Sequence, residues 1–296
     1  MRIGFIGLGI MGKPMCKNLL KAGYDVVCFD MVTAAMDDVV SVGGKAAASV
    51  AEVAKQCSQI VTMLPNSPHV EAVALGQGGI LENAAAGTLV IDMSSIAPLA
   101  SRAIHDGLEK KGIRMIDAPV SGGEPKAING TLSVMVGGAQ KDFDEALPIM
   151  EKMASSVIRV GEIGAGNAVK LANQIIAAVN MAGLSEAMTL LMKIGVDPEL
   201  AYKAIRGGAA GSTMMELKMP MILDRDIKPG FKINLHIKDM ANVMETGHGI
   251  GAPLPLSSCI MEMMQALRVD GMGDADNGAL IRYYEKLANI EVKRKN

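Results

Sequence analysis

Residues 3–23 read IGFIGLGIMGKPMCKNLLKAG, a Gly-x-Gly-x-x-Gly set between an apolar run and a stretch of helical spacing. Nothing else in the sequence restricts the fold as tightly. Arg2–Ile6 reads as a strand, 11–22 as a helix ending at Gly23, and Asp30 follows a second strand at Asp25–Phe29. The glycine triplet alone is weak, because the chain holds 33 glycines. A strand before it, a helix opening at it and an acid about 20 residues on make it a βαβ unit that takes a dinucleotide. Gly7 permits the tight turn, Gly9 lets a pyrophosphate approach the backbone, and Gly12 lets helix and strand pack closely. The helix N-terminus adds free N–H groups and a positive partial charge. Asp30 would accept hydrogen bonds from the ribose hydroxyls and repel a 2′-phosphate, and Met31, Val32 and Thr33 supply no cation for one. NAD is therefore expected over NADP. The competing reading is that Asp30 only caps the helix after it.

The same rhythm continues through the first half. Apolar runs at 59–63, 88–91, 114–116, 132–136 and 157–159 alternate with amphipathic segments at 50–57, 97–110 and 140–153. That alternation predicts a mostly parallel sheet, and unbroken apolar runs suit strands buried on both faces. After about Gly161 the character changes. Residues 164–193 contain no proline and place Val169, Ala172, Ile176, Val179, Ala182 and Leu190 at helical spacing. They predict one helix, about 45 Å long at roughly 1.5 Å per residue. Helical patterns follow at 198–206, 234–249, 255–269 and 278–289, and no strand pattern returns. The expected architecture is an α/β Rossmann-like domain over 1–162 and an all-α domain over 163–296, entered by the long helix.

Composition narrows the partners. A net charge of −2 without a basic stripe weighs against nucleic acid, and the closing KRKN reads as a solvated tail. No uncharged apolar run reaches the roughly 18 residues of a membrane span. The first strand begins too early to double as a signal peptide. Cys16, Cys28, Cys57 and Cys259 form no C-x-x-C pair, which suits reduced thiols in a cytoplasmic protein. His69, His105, His236 and His248 are equally scattered, so no metal is expected. The 24 methionines, concentrated in the second half, read as adaptable packing.

Three further stretches carry chemistry. DAPVSGG (117–123) offers the Ser121 hydroxyl and the backbone N–H groups of Gly122 and Gly123 at a strand end, a combination suited to a carboxylate. It could equally be a plain strand-exit turn. GAGNAVKLANQ (164–174) places Lys170 and Asn173 at i and i+3, on one helix face. A partly buried lysine there could donate a proton, whereas spacing alone favours a solvated one. HIKDM (236–240) sets Lys238 before an apolar helical face and by itself says little.

Taken in order and at their spacing, GLGIMGKPMCKNL, DAPVSGG, GTLSVMVGG (130–138), GAGNAVKLANQ and HIKDM resemble the β-hydroxyacid dehydrogenase family across essentially the whole chain. The resemblance implies an NAD-dependent oxidoreductase acting on a small carboxylate-bearing aldehyde or hydroxyacid. By position it makes Lys170 the catalytic lysine, with Asn173 assisting near the reacting carbon. Gly7, Leu8, Gly9, Ile10, Met11, Gly12, Asp30, Leu64, Pro65 and Ser95 would line the cofactor, and Lys238 would reach it from the helical domain. Ser121, Gly122 and Gly123 would hold the substrate carboxylate. LPNSPHV (64–70), IDMSSIAPLASR (91–102), AIRGGAAGST (204–213) and above all Glu124-Pro125-Lys126 look most like members that reduce tartronate semialdehyde to D-glycerate. Members acting on 3-hydroxyisobutyrate, glyoxylate or succinic semialdehyde share every motif, so those activities stay open. A non-catalytic dinucleotide-binding module is the reading from another class; such relatives lack the lysine that stands here at 170. Gln174 departs from the second Asn of several relatives and leaves the polar contact there open. The segment 175–183, apolar all round, predicts a homo-oligomer, a dimer or a tetramer.

Overall fold

Among residues 1–294, which the computed structural model describes, nine strands form one sheet. They are β1 (Arg2–Ile6), β2 (Asp25–Phe29), β3 (Lys45–Ala46), β4 (Gln59–Thr62), β5 (Leu89–Asp92), β6 (Arg114–Asp117), β7 (Val120–Ser121), β8 (Leu132–Gly137) and β9 (Ala154–Gly161). The order runs β3-β2-β1-β4-β5-β6, all parallel, and the chain reverses direction across the sheet between β1 and β4. The β8 strand then pairs antiparallel with β6 and β7 along one edge and parallel with β9 along the other.

Side chains alternate between two buried faces. Ile3, Phe5, Val26, Cys28 and Val61 enter one core, while Ile6, Val27, Ile60 and Val90 enter the other. Both sides of each strand are therefore apolar, and each buried Val, Ile or Phe contributes about 1.5–3 kcal/mol. The two-residue strands β3 and β7 are too short for a periodic signal and were not legible in the sequence. The helices Ser67–Leu75, Ile80–Asn83, Gly123–Asn129 and Thr213–Leu223 were not read from the sequence either. The last has Pro220 inside it and no clean apolar stripe; the Ser212 hydroxyl starts it by accepting from the Met215 N–H.

The chain divides into two compact units, 1–170 and 171 onward, with the division inside the helix Ala165–Ile194. That helix is a single 30-residue element, as its pattern predicts. It is long and apolar enough to cross a membrane by length and composition. In the second unit, however, its Leu171, Ala178, Met181, Leu184 and Met188 are buried in a core with Met215, Met219, Met240 and Met264. The methionines thus fill an irregular helical core. Ser185 and Thr189 turn their hydroxyls onto the carbonyls of Met181 and Ser185, so neither needs an outside partner.

Of the closing KRKN, Lys295 and Asn296 lie outside the described residues; Lys293 and Arg294 are exposed, as a solvated tail expects, and Arg294 also makes surface ion pairs. It pairs with Asp224 at 2.5 Å and Glu199 at 2.6 Å, and its N–H donates to the Leu223 carbonyl next to the buried Val292.

Candidate active site

The glycine loop leaves the carboxyl end of β1, beside the end of β4, where the sheet order reverses. Two of its glycines are required by the protein itself. Gly7 has φ +97°, and a Cβ there would lie 2.3 Å from the Met63 carbonyl. A Cβ at Gly12 would lie 2.0 Å from the Gly7 carbonyl, so the helix Gly12–Lys21 could not approach the turn. Gly9 differs, because a Cβ there would meet no protein atom within 4 Å. The protein's own packing therefore does not require glycine there, and the space beside it is open. Leu8 is buried, Ile10 exposed and Met11 half-buried.

Asp30 stitches this loop to the second strand. Its Oδ2 accepts the Leu8 N–H at 2.6 Å and its Oδ1 the Val32 N–H at 2.8 Å. The N-cap position of the helix Thr33–Val40 is Val32, so Asp30 is not merely that helix's cap. A carboxylate offers about four acceptor sites, and these two bonds leave capacity for ribose hydroxyls.

Two buried aspartates that sequence reasoning missed hold the neighbouring strand ends. Asp92 closes β5: its Oδ1 accepts the Thr62 hydroxyl at 2.8 Å and the Ser94 N–H at 3.2 Å. The Ser94 hydroxyl in turn accepts the Leu64 N–H at 2.9 Å, which fixes the segment that leads into the exposed Pro65. Asp92 Oδ2 has no hydrogen-bond partner, and burial pushes the carboxyl up to about 6. Asp117 closes β6 and accepts the N–H groups of Gly164 and Asn167 at 2.6 and 2.7 Å. Burial pushes it up to about 6 as well, against the pull of those N–H bonds.

Asn167 extends that clamp toward the half-buried Ser95. Its Oδ1 accepts the Ile96 N–H at 3.1 Å and its Nδ2 donates to the Ser101 hydroxyl at 3.0 Å. A Cβ at Gly137 would fall 2.4 Å from the Asp117 carboxylate, and one at Gly166 2.5 Å from the Met135 carbonyl. The first turn of the long helix is therefore seated on the strand ends, one turn before Lys170. Lys170 is only 7% exposed, so it is not the solvated helix lysine that spacing alone favoured. A signal was present: Ile-Asp recurs at 91–92 and 116–117, each time as a strand's last pair.

Ser121 ends β7 opposite Ser133, and Gly122 and Gly123 follow with φ of +139° and +69°. A Cβ at Gly122 would lie 2.7 Å from the Lys126 side chain, so the stem of that lysine packs against Gly122. In the second unit, Asn173, Gln174, Asp239 and Lys238 form one connected chain of contacts. Among the described residues, the set that could offer three metal ligands is His105, Asp106 and Glu109, on a surface helix that carries none of these site residues.

A parallel sheet that presents a glycine loop at its switch point is the architecture of a dinucleotide-dependent oxidoreductase. Residues 2–161 match the family model for the NAD binding domain of 6-phosphogluconate dehydrogenase. Residues 164–284 match that for the NAD-binding region of NADP-dependent 3-hydroxyisobutyrate dehydrogenase. The chain is 38% identical to the 2-(hydroxymethyl)glutarate dehydrogenase of Eubacterium barkeri, over 98% of this chain and 97% of that one. It is 36% identical to the 2-hydroxy-3-oxopropionate reductase of Escherichia coli K12, over 98% and 99%. The solved Mycobacterium tuberculosis 3-hydroxyisobutyrate dehydrogenase with L-serine superposes with a TM-score of 0.89 at 32% identity, covering 95% of this chain and 98% of that one. The chain belongs to the β-hydroxyacid dehydrogenase family and is an oxidoreductase that binds a nicotinamide dinucleotide and acts on a hydroxyl group.

Proposed function

We propose that the chain reduces tartronate semialdehyde (2-hydroxy-3-oxopropanoate) to D-glycerate with NADH, and runs the reverse oxidation with NAD. The observation that carries this reading is the 121–126 segment. There the Ser121 hydroxyl and the backbone N–H groups of two glycines with positive φ would offer donors to a small carboxylate, beside Gly122 and the stem of the exposed Lys126. Its Glu124-Pro125-Lys126 is the part of the sequence most like tartronate semialdehyde reductases, and the E. coli relative bears that activity in its name.

The residues divide the work as follows. Gly7 to Gly12, Asp30, Leu64, Pro65, Ser95 and Lys238 hold the dinucleotide, which when bound supplies the hydride. Ser121, Gly122 and Gly123 fix the carboxylate, and Asn173 orients the reacting end. Lys170 holds the proton, stabilises the developing alkoxide oxygen and hands the proton to it, so aldehyde, hydride and proton sum to the alcohol. NAD is the cofactor on this reading, because Asp30 would accept from the ribose hydroxyls and the exposed Met31 and Val32 beside it carry no positive charge. The working protein is a cytoplasmic homo-oligomer: Ile176, Leu190 and Ile194 are 61, 60 and 67% exposed on the long helix, an apolar face that a second copy would cover.

A panel of tartronate semialdehyde, glyoxylate, succinic semialdehyde and methylmalonate semialdehyde, read by NADH consumption, tests the assignment. Tartronate semialdehyde should show the highest kcat/KM, and preference for another aldehyde overturns the substrate. The 38% identity to the Eubacterium enzyme favours a second reading, oxidation of 2-(hydroxymethyl)glutarate, which is assayed in the NAD direction.

A further inference from the structure

Gln174 stands where several relatives carry a second asparagine, and its surroundings give it work to do. It is 4% exposed, and its Nε2 donates to Asp239 Oδ2 at 2.5 Å. Its Oε1 accepts the Asn173 Nδ2 at 2.9 Å. Asp239 is also 4% exposed, and its other oxygen pairs with Lys238 at 2.8 Å. Residues 65 positions apart thus form one line, from Lys238 through Asp239 and Gln174 to Asn173.

The direction of that line is set by its charged member. A carboxylate accepts hydrogen bonds and donates none, so Gln174 must turn its NH₂ toward Asp239 and its carbonyl toward Asn173. The carbonyl also only accepts, so Asn173 must turn its NH₂ toward Gln174. Each amide then has one allowed orientation, because the flipped form would set oxygen against oxygen in a buried site. The consequence falls on the far side of Asn173, one helical step beyond Lys170, where its Oδ1 is left as the outward acceptor.

We infer that Gln174 is a positioning residue: it passes the orientation imposed by Asp239 to Asn173, whose Oδ1 then accepts from a donor group on the substrate. This rests on the hydroxyacid-reductase reading. It adds a selection rule, favouring substrates that carry a hydroxyl or other donor next to the reacting carbon over those with a methyl group there. The same Asp239 holds Lys238, so one carboxylate orients both ends of the line.

Gln174→Glu and Gln174→Met give the test. A glutamate at 174 faces Asp239 and, beyond it, Lys238, and two carboxylates at that distance must share a proton. When protonated, the glutamate donates to Asp239 and accepts from Asn173; when ionised, it loses the bond to Asp239 and repels it, but its carboxylate still accepts from Asn173 and keeps that amide in the same orientation. With the best substrate of the panel, Q174M should lose about 10- to 100-fold in kcat at every pH from 5.5 to 9, with the KM for NADH little changed. Q174E should stay within about threefold of wild type across that range, because either form of its carboxyl accepts from Asn173. Q174M within twofold of wild type, or a Q174E loss as large as that of Q174M, would overturn the inference. A thermal melt series separates this outcome from failure of the substrate reading. The Tm of Q174E relative to wild type should fall as pH rises from 5 to 8 while that of Q174M runs parallel to wild type, whatever the substrate. Equal slopes for all three proteins overturn the relay even if no aldehyde in the panel is turned over.

Discussion

Asp92 at the end of β5 offers a quantitative check on how the cofactor side of the site is held. Its carboxyl is wholly buried and pushed from 3.8 up to about 6, chiefly by desolvation, with the neighbouring Asp117 charge adding to the shift. A native value above the unfolded one means that folding favours the protonated form. The stabilising contribution is therefore fully present below the unfolded value and lost as pH rises through about 6. A shift of roughly two units corresponds to about 3 kcal/mol withheld at neutral pH, and about 1.4 kcal/mol of it returns between pH 7.5 and 5. Asp92→Asn removes this titration while leaving an oxygen for the Thr62 hydroxyl and the Ser94 N–H, and its NH₂ replaces the unpartnered Oδ2. Urea unfolding of both proteins at pH 7.5 and pH 5 is the assay. The wild type should gain about 1.4 kcal/mol on the variant as the pH is lowered. A stability difference that is the same at both pH values would refute the reasoning, because the carboxyl would then titrate alike in the folded and unfolded chain.

Other outcomes follow from the same geometry. Lys170→Ala should lower kcat by at least about 10²-fold while NADH binding, read by fluorescence titration, is retained; near-normal turnover would remove the lysine from the reaction. Asp30→Ala should lower the kcat/KM preference for NADH over NADPH by about tenfold or more, since a carboxylate at the ribose is what repels the 2′-phosphate; an unchanged ratio places the selectivity elsewhere. Gly9→Ala and Gly12→Ala should separate binding from folding. A Cβ at Gly12 would strike the Gly7 carbonyl and cost about 1–3 kcal/mol of stability, whereas one at Gly9 meets no protein atom and should leave the Tm unchanged while weakening NADH binding. Equal stability losses in the two variants would contradict that division.

Much of this was legible in the one-dimensional pattern because it is local. The βαβ unit announces itself within about 30 residues through steric demands on single glycines and the unbroken apolar runs of strands buried on both faces. The long helix is equally plain, since an unbroken apolar periodicity without proline has few other ways to fold. Short elements such as β3, β7 and the helix Gly123–Asn129 lack the length for a period. The ion pairs of the exposed Arg294 were not legible, because Asp224 and Glu199 reach it only once the helices that carry them are packed.

The sequence by itself determined that the chain opens on a βαβ unit with a dinucleotide-type glycine loop, that an α/β unit precedes a helical one, and which family motifs stand in order. Only the tertiary structure decided what the polar residues between those motifs do. Asp92 and Asp117 look like ordinary strand-end acids until burial raises their pKa and ties them to Ser94 and Asn167. Lys170 reads as solvated until the fold covers it. Gln174 has no evident partner until Asp239, 65 residues away, reaches it. Periodicity and glycine sterics act between near neighbours in the chain, whereas burial and hydrogen-bond direction depend on groups that only folding brings together.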